Sequence, residues 1–143
     1  MNGLYFSGNG NTKYCMELFC TLTGGKAYSI EDTTNNSIEQ LQNDTEIALG
    51  YPTHYSNIPV IMKEFILKHG DFFKNKKVFI IVTMGLFSGD GAGCSARLLR
   101  KQGAKILGGF HLLMPDSIGD VKMLKKPIEK NLETISKTEE KIN

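Results

Sequence analysis

The segment that sets the architecture of this chain reads Gly3-Leu4-Tyr5-Phe6-Ser7-Gly8-Asn9-Gly10-Asn11-Thr12. Its first four residues predict a short buried strand, and the periodic apolar residues after Thr12 predict a helix. A loop of small residues between a strand and a helix start is a candidate seat for a phosphate. The first N–H groups of the helix lack partners within it and carry partial positive charge.

The same loop contains the polar groups that such a phosphate-binding site requires. Gly8 and Gly10 allow the backbone to curl around an anion at φ values that other residues resist. Further hydrogen-bond donors come from the side chains of Ser7, Asn9, Asn11 and Thr12. Neither Lys nor Arg lies in the loop, so uncharged dipoles would hold the anion. The alternative is an ordinary turn capped by Asn or Ser.

Size and composition indicate one compact soluble domain. The chain has 143 residues, of which 41% are hydrophobic, and this is enough for a core. We expect a single domain over 1–143, with 127–143 as its final helix and a candidate linker stump. A net charge of +2 favours neither nucleic acid nor an anionic membrane as partner. No apolar run has membrane-spanning length, and the first strand follows Met1-Asn2 directly, so we expect a cytoplasmic protein.

The cysteines do not predict a metal or redox centre. There are three of them, Cys15, Cys20 and Cys94, and no pair has Cys-x-x-Cys spacing. We expect them to be small buried hydrophobic residues. The sequence suggests neither a metal ligand set nor a catalytic residue.

Strand and helix patterns alternate along the whole chain. Predicted strands cover residues 3–6, 26–30, 45–51, 78–82 and 105–113, with 26–30 at an edge. The run 78–82 is apolar without alternation, as in central parallel strands covered on both faces. Right-handed crossovers then give an α/β fold: a doubly wound, five-stranded parallel sheet with helices on both faces.

Apolar spacing also predicts which helix faces are buried. The buried face of the first helix is Cys15, Leu18, Phe19 and Leu22, and that of the last helix, from Pro127, is Ile128, Leu132 and Ile135. A middle helix is expected to be capped by Asn57, with Pro59 in its first turn. Its predicted inner face is Ile58, Ile61, Met62, Phe65 and Ile66.

Three loops rich in glycine, hydroxyl and aromatic residues follow strands one, three and four. In a doubly wound sheet such loops meet at the carboxyl ends of the strands, where ligands bind. Besides the first loop, the candidate binding residues are Pro52, Thr53, His54, Tyr55, Ser56, Asn57, Thr83, Met84, Gly85, Leu86, Phe87, Gly89 and Asp90. Their convergence indicates a ligand site more strongly than any one motif.

On these loops the chain resembles the flavodoxins, which are electron carriers that bind flavin mononucleotide (FMN), from Gly3 to about Lys141. Residues 6–12 correspond to the family's phosphate loop, usually Ser/Thr-x-Thr-Gly-Asn-Thr, and residues 50–59 and 83–93 to its two isoalloxazine loops. The resemblance implies the strand order 2-1-3-4-5. The sequence Gly-Leu-Phe-Ser-Gly-Asp-Gly-Ala-Gly at 85–93 resembles the corresponding loop of flavodoxin-like domains that are fused to bacterial-type ferredoxin modules.

Two residues depart from the family pattern. Asn9 stands where flavodoxins usually have Thr, which removes one hydroxyl contact to phosphate. Tyr55 stands where related domains have Gly, in a peptide that can turn its carbonyl toward flavin N5 on reduction. A bulky residue resists the positive φ that this turn needs. The cysteine motifs of ferredoxins are absent from the sequence.

The resemblance implies an FMN-binding, low-potential one-electron carrier rather than a stand-alone enzyme. Phe87 is the candidate aromatic wall of the flavin site, with Tyr55 or His54 on the other side. Thr83 and Asp90 are expected either to bond the ring edge or to cap the glycine-rich turn. The expected partners are ferredoxin-type proteins or flavin and iron–sulfur enzymes, and the chain is expected to be a monomer.

Two other functions stay open. One is an FMN-dependent NAD(P)H:quinone reductase, although residues 104–113 run without the insertion that such enzymes usually carry. The other is a binding module without redox activity, which the departures at Asn9 and Tyr55 allow.

The acidic docking face that the resemblance leads one to expect is not evident in the sequence. Residues 1–113 hold eleven Lys plus Arg against nine Asp plus Glu. The basic cluster Lys74, Lys76 and Lys77 is predicted to be a solvated turn at the amino end of the sheet.

Overall fold

The computed structural model describes residues 1–32, 36–54, 56–85, 89–115 and 128–143. The strands are β1 (Asn2–Tyr5), β2 (Ala27–Ser29), β3 (Glu46–Pro52), β4 (Lys77–Met84) and β5 (Lys105–Leu113). The helices are α1 (Asn11–Leu22), α2 (Ser37–Gln40), α3 (Val60–Lys68), α4 (Gly70–Phe73), α5 (Gly91–Lys101) and α6 (Ile128–Ile142). No helix in these ranges is long and apolar enough to cross a bilayer.

The strands form one parallel sheet with the order β2-β1-β3-β4-β5, which confirms the predicted fold class and strand order. β4 lies between β3 and β5, and its core residues Val78 and Ile80 to Val82 are almost completely buried. A strand covered on both faces can be apolar throughout, and this explains the unbroken run.

The sheet separates two apolar layers. One side contains Leu49, Ile66 and Leu99, and α3, α4 and α5 pack there. The other side contains Cys15 and Cys20, both fully buried, where α1 and α6 pack. Helices on both faces are therefore confirmed, and so is the burial of these two thiols, whereas the burial predicted for Cys94 was wrong because it is only half-buried.

Three residues predicted to face inward are exposed. The exposed fractions are 53% for Leu22, 37% for Ile61 and 61% for Leu132. At 3.6 residues per turn, each lies about a quarter turn from the centre of its helix's buried stripe. In α6 that stripe runs through Ile135, Thr138 and Ile142. The predictions for these three side chains were wrong.

The predicted helix starts also need correction. α3 begins at Val60, after Pro59 in the N-cap position, and no side chain caps it. Asn57 instead closes a tight turn. α5 begins at Gly91, and Asp90 precedes it without a capping hydrogen bond. The capping role predicted for Asn57 was therefore wrong, and Asp90 occupies the N-cap position of α5 without the side-chain bond of a cap.

The basic cluster before β4 lies at the amino end of the sheet as predicted, but one of its members is buried. The Lys76 side chain is 6% exposed, and its Nζ donates to the carbonyl oxygens of Leu41 at 3.2 Å and Gln42 at 3.0 Å, and to that of Asp44. Burial lowers the pKa of the Lys76 ammonium, although nearby Asp44 opposes this shift. The prediction of a solvated side chain was wrong for Lys76.

The predicted connection 116–126 and Pro127 lie outside the described residues, as does the side chain of Ile128. The element α4 is a single helical turn directly after α3, and only His69 separates the two helices.

Candidate functional site

Backbone hydrogen bonds beyond the sheet hold the loops after β3, β4 and β5 together. The N–H of Thr53 donates to the carbonyl of Thr83 at 3.0 Å, and the N–H of Met114 donates to the carbonyl of Met84 at 2.8 Å. These bonds continue the strand pairing past the strand ends. The loops therefore leave the sheet side by side at its carboxyl edge.

A cleft of about 290 Å³ opens at this edge. It is lined by Gly8, Asn9, Asn11, Pro52, Thr53, His54, Thr83, Met84, Gly85, Met114 and Pro115. None of these side chains is a carboxylate, an ammonium or a guanidinium. Nine of them are candidate residues from three separate sequence segments. Met114 and Pro115 were not among the candidate residues, although the carboxyl end of β5 must reach the same edge.

The other candidates that the structure describes lie beside or behind the cleft. They are Ser7, Gly10, Thr12, Ser56, Asn57, Gly89 and Asp90. Tyr55, Leu86 and Phe87 lie outside the described residues, so the predicted aromatic walls at Tyr55 and Phe87 are not located.

The glycines of the first loop differ in conformation. Gly10 has φ 94°, in the left-handed region, and occupies the N-cap position of α1. Gly8 is exposed and does not have a positive φ. The predicted backbone freedom is therefore used at Gly10 and not at Gly8.

The loop's side chains satisfy some of its own amides. The N–H of Gly10 donates to Ser7 Oγ at 3.1 Å, and that of Asn11 donates to Asn9 Oδ1 at 3.2 Å. The first intrahelical bond of α1 runs from Tyr14 N–H to the carbonyl of Gly10 at 2.9 Å. The N–H groups of Thr12 and Lys13 consequently have no acceptor within the described part of the chain.

Two side chains of the loop connect it to the neighbouring loops. The Thr12 hydroxyl is fully buried and lies 2.7 Å from the Thr83 hydroxyl, which joins α1 to the end of β4. Asn11 Nδ2 donates to the carbonyl of Pro115 at 2.8 Å. Thr12 therefore supports the cleft from behind, whereas Asn11 also lines it.

The loop after β3 is a tight turn. The N–H groups of His54 and Asn57 each donate to the other's carbonyl at 2.9 Å. Within this turn Ser56 has φ 61°, in the left-handed region. A Cβ atom added to Gly89 would lie 2.3 Å from Ser56 Cβ, so this turn touches the loop after β4. The exposed His54 ring contacts the Phe6 ring edge-on, with 6.4 Å between the ring centroids.

A buried tyrosine fixes the start of α5 behind the cleft. The Tyr51 hydroxyl is 2.7 Å from the carbonyl oxygen of Gly91 and also bonds to Ser95 Oγ. Burial raises the pKa of Tyr51. A Cβ on Gly91 would lie 2.5 Å from Thr53 Cγ2, so helix and loop are in close contact. Tyr51 was not among the candidate residues.

Asp90 is not among the residues that line the cleft, and its partners lie in α5. Its exposed carboxylate bonds to Arg97 and accepts from Cys94 Sγ at 3.3 Å. The hydrogen bond from Arg97 lowers the pKa of Asp90. Burial, followed by the bond to Asp90, raises the pKa of the Cys94 thiol. This cluster joins the loop after β4 to the first turns of α5.

The arrangement suits a ligand that combines an anionic group with an uncharged body. Free amides and the positive end of α1 lie at the first loop, and uncharged side chains line the adjoining cleft. The described residues provide no charged group in the lining that would neutralise a second charge on the ligand.

Comparison with known proteins supports this description. A family model described as a flavodoxin domain matches residues 4–110. A search of curated protein sequences finds no match.

Solved structures share the fold at low sequence identity. The two-electron-reduced flavodoxin of Megasphaera elsdenii has a TM-score of 0.63 and 23% identity, over 86% of this chain and 93% of that one. The Trp repressor binding protein of Bacillus subtilis has a TM-score of 0.66 and 14% identity, over 97% and 96%. A Fusobacterium nucleatum flavodoxin bound to FMN has a TM-score of 0.58 and 16% identity, over 82% and 71%.

Proposed function

The chain belongs to the flavodoxin domain family, and on that premise we propose that it is an electron-transfer protein that binds FMN in the cleft. In this proposal the loop Ser7–Thr12 would hold the FMN phosphate. The candidate residues after β3 and β4 that line the cleft would hold its isoalloxazine ring. The family match and the FMN-bound Fusobacterium flavodoxin support this choice of cofactor.

The observation that carries the proposal is the start of α1. The N–H groups of Thr12 and Lys13 have no acceptor in the described chain, and Gly10 turns the backbone through the left-handed region just before them. Two free amides at a positive helix end stabilise an anion without a cationic side chain. Gly8, Asn9 and Asn11 also line the cleft, so an anion bound by these amides would lie directly beside the cleft.

Asn9 fits this use of the loop. Its Oδ1 accepts from the Asn11 amide, so a bound phosphate oxygen would compete with Asn9 for that donor. An asparagine side chain also carries an amide NH2 group, which is the type of donor that a phosphate oxygen accepts from. We therefore assign Asn9 to the phosphate site despite its departure from the family's Thr.

The bound FMN would supply the redox chemistry, and the protein would supply position and electrostatics. The buried Thr12–Thr83 pair and the Tyr51 hydroxyl hold the loops in place around the ring. An uncharged lining stabilises added negative charge poorly. We therefore expect reduction of the bound cofactor to require a low potential.

The uninterrupted edge strand β5 favours an electron carrier over a quinone reductase. β5 pairs with β4 from Lys105 to Leu113, with a single register shift beside Phe79 and no inserted segment. β5 therefore contains no additional segment that could form a nicotinamide-binding pocket.

An anaerobic reductive titration of the FMN-reconstituted protein, followed by visible absorbance, tests the proposal. In this titration we expect two resolved one-electron reduction steps. In a turnover assay with a quinone as acceptor, we expect no oxidation of the nicotinamide. Rapid nicotinamide oxidation would establish the reductase instead, and failure to bind FMN would leave a module without redox function.

A matched pair of variants tests the phosphate site. Asn9→Asp keeps the shape of the side chain but adds a negative charge, so FMN affinity is expected to fall at least about tenfold. Asn9→Thr restores the residue usual in the family and is expected to bind FMN at least as tightly as the wild type.

A further inference from the structure

The helices α3 and α5 form a surface that is basic and partly apolar, and both begin at the cleft. Their exposed cationic residues are Lys63, Lys68, Arg97, Arg100 and Lys101, and the exposed acidic residues on this side of the sheet are Glu64 in α3, Asp71 in α4 and Asp90 before α5. On the opposite face of the sheet, α1 and α6 together contain four Lys and five Glu. The charge is therefore segregated between the two faces, which the net charge of +2 conceals.

Most of this positive charge is not neutralised within the chain. Arg97 pairs with Asp90, whereas Lys63, Lys68, Arg100 and Lys101 have no carboxylate partner in the described ranges. The helix starts of α3 and α5 add partial positive charge at the same edge of the sheet.

Exposed apolar side chains lie on the same helix surface as these charges: Lys63 and Glu64 are one turn from Val60 and Ile61, whereas Lys68, Arg100 and Lys101 lie in the last turns of the two helices. Val60 is 69% exposed and Ile61 37%, and both follow the 54–57 turn that borders the cleft. Leu67, 51% exposed, lies two turns farther along α3 on the side of Val60. An apolar centre with a charged rim is the usual anatomy of a protein interface.

We propose that this α3–α5 face docks an acidic redox partner protein, whose carboxylates surround an apolar contact with Val60 and Ile61. The proposal rests on the proposed function, because a partner seated there lies next to the cleft. It gives the docking face the opposite charge from the acidic one expected of a flavodoxin. Complementary charge would steer the encounter, and the apolar contact would hold the complex.

Nuclear magnetic resonance of the ¹⁵N-labelled protein tests the docking. The probe is an acidic ferredoxin with gallium in place of iron. Shift changes are expected at Val60 to Leu67 and in the first turns of α5, and raising the ionic strength should weaken binding. Changes confined to α1 and α6, or tighter binding of a basic cytochrome c or of anionic lipid vesicles, would overturn the proposal.

Charge-reversal variants test whether binding depends on the charge at this face or only on the net charge of the protein. The double variant Lys63→Glu/Lys68→Glu is expected to raise the Kd for this ferredoxin about tenfold or more. The control Lys26→Glu/Lys130→Glu makes the same change in net charge at exposed sites off this face and should have little effect. Equal effects of the two doubles would contradict a specific face.

FMN binding by the same variants is measured by fluorescence titration and is expected to be unchanged. If FMN binds and the ferredoxin does not map to α3, the docking proposal fails alone. If the ferredoxin maps to α3 and FMN does not bind, the proposed function fails and the docking face stands.

Discussion

At the scale of single residues, the two glycines of the first loop make a controlled comparison. Gly10 has φ 94°, where an added Cβ is strained, and Gly8 has ordinary φ with open space around it. Gly10→Ala is expected to lower the free energy of unfolding by about 1–2 kcal/mol. Gly8→Ala should leave it unchanged or raise it by up to about 1 kcal/mol, because the unfolded chain loses entropy. Urea unfolding measures both, and equal losses would contradict the assigned conformations.

The buried thiols predict a loss of stability in alkali. Burial raises the pKa of Cys15 from 9.0 to about 12 and that of Cys20 from 9.0 to about 11. Above pH 9.0 the unfolded chain releases these protons while the folded protein keeps them, so stability is full below this pH and falls above it. The expected slope is about 1.4 kcal/mol per pH unit for each thiol.

Urea unfolding of the wild type and of Cys15→Ala/Cys20→Ala across this range measures that slope. The double variant is expected to lose stability less steeply as the pH rises. Identical slopes would show that these thiols are not protected in the folded protein.

Single-residue roles could be predicted where a residue's own backbone decides them. The need for glycine at position 10 follows from a tight turn before a helix, and the sequence indicated it. The partner of the Thr12 hydroxyl is Thr83, 71 residues away, and only the assembled sheet brings them together. Tyr51 was missed for the same reason, since its partners Gly91 and Ser95 come from another element.

At the scale of elements, strands were easier to predict than helix ends. β3 and β4 contain continuous apolar runs, and burial on both faces leaves few other structures for such runs. The start of α3 was misplaced because Asn57 and Pro59 are good helix-start residues. In the fold Asn57 is instead paired with His54 in a turn. A local preference gave way to a tertiary contact.

Lys76 connects two elements and supplies a prediction at this scale. Its ammonium joins the 41–44 turn after α2 to the start of β4. Lys76→Met leaves three carbonyl oxygens without that donor, and we expect a loss of about 1–3 kcal/mol in the free energy of unfolding. The exposed neighbour Lys74 is the control, and Lys74→Met should change it by less than about 0.5 kcal/mol. Equal effects in urea unfolding would contradict the buried contact.

At the scale of the whole molecule, topology creates the site. Parallel pairing brings the carboxyl ends of β1, β3, β4 and β5 to one edge, so residues up to 107 positions apart line one cleft. The convergence of three loops could be predicted because it depends on strand order alone. The contribution of Met114 and Pro115 could not be read from composition, since neither residue type indicates a ligand.

Charge distribution is also a property of the whole molecule. The sequence gives a net charge of +2, and only the fold separates a basic α3–α5 face from a balanced α1–α6 face. Composition alone therefore gave no information about the partner, and the docking proposal depends on this distribution of charge over the surface.

The central claim is that free amides at the start of α1 bind the phosphate of FMN. Parallel titrations with FMN and with riboflavin, followed by quenching of flavin fluorescence, test it most directly, because the two ligands differ only in the phosphate. We expect one FMN per chain, bound at least about a hundredfold more tightly than riboflavin. Equal affinity for the two ligands, or no quenching by either, would contradict the account.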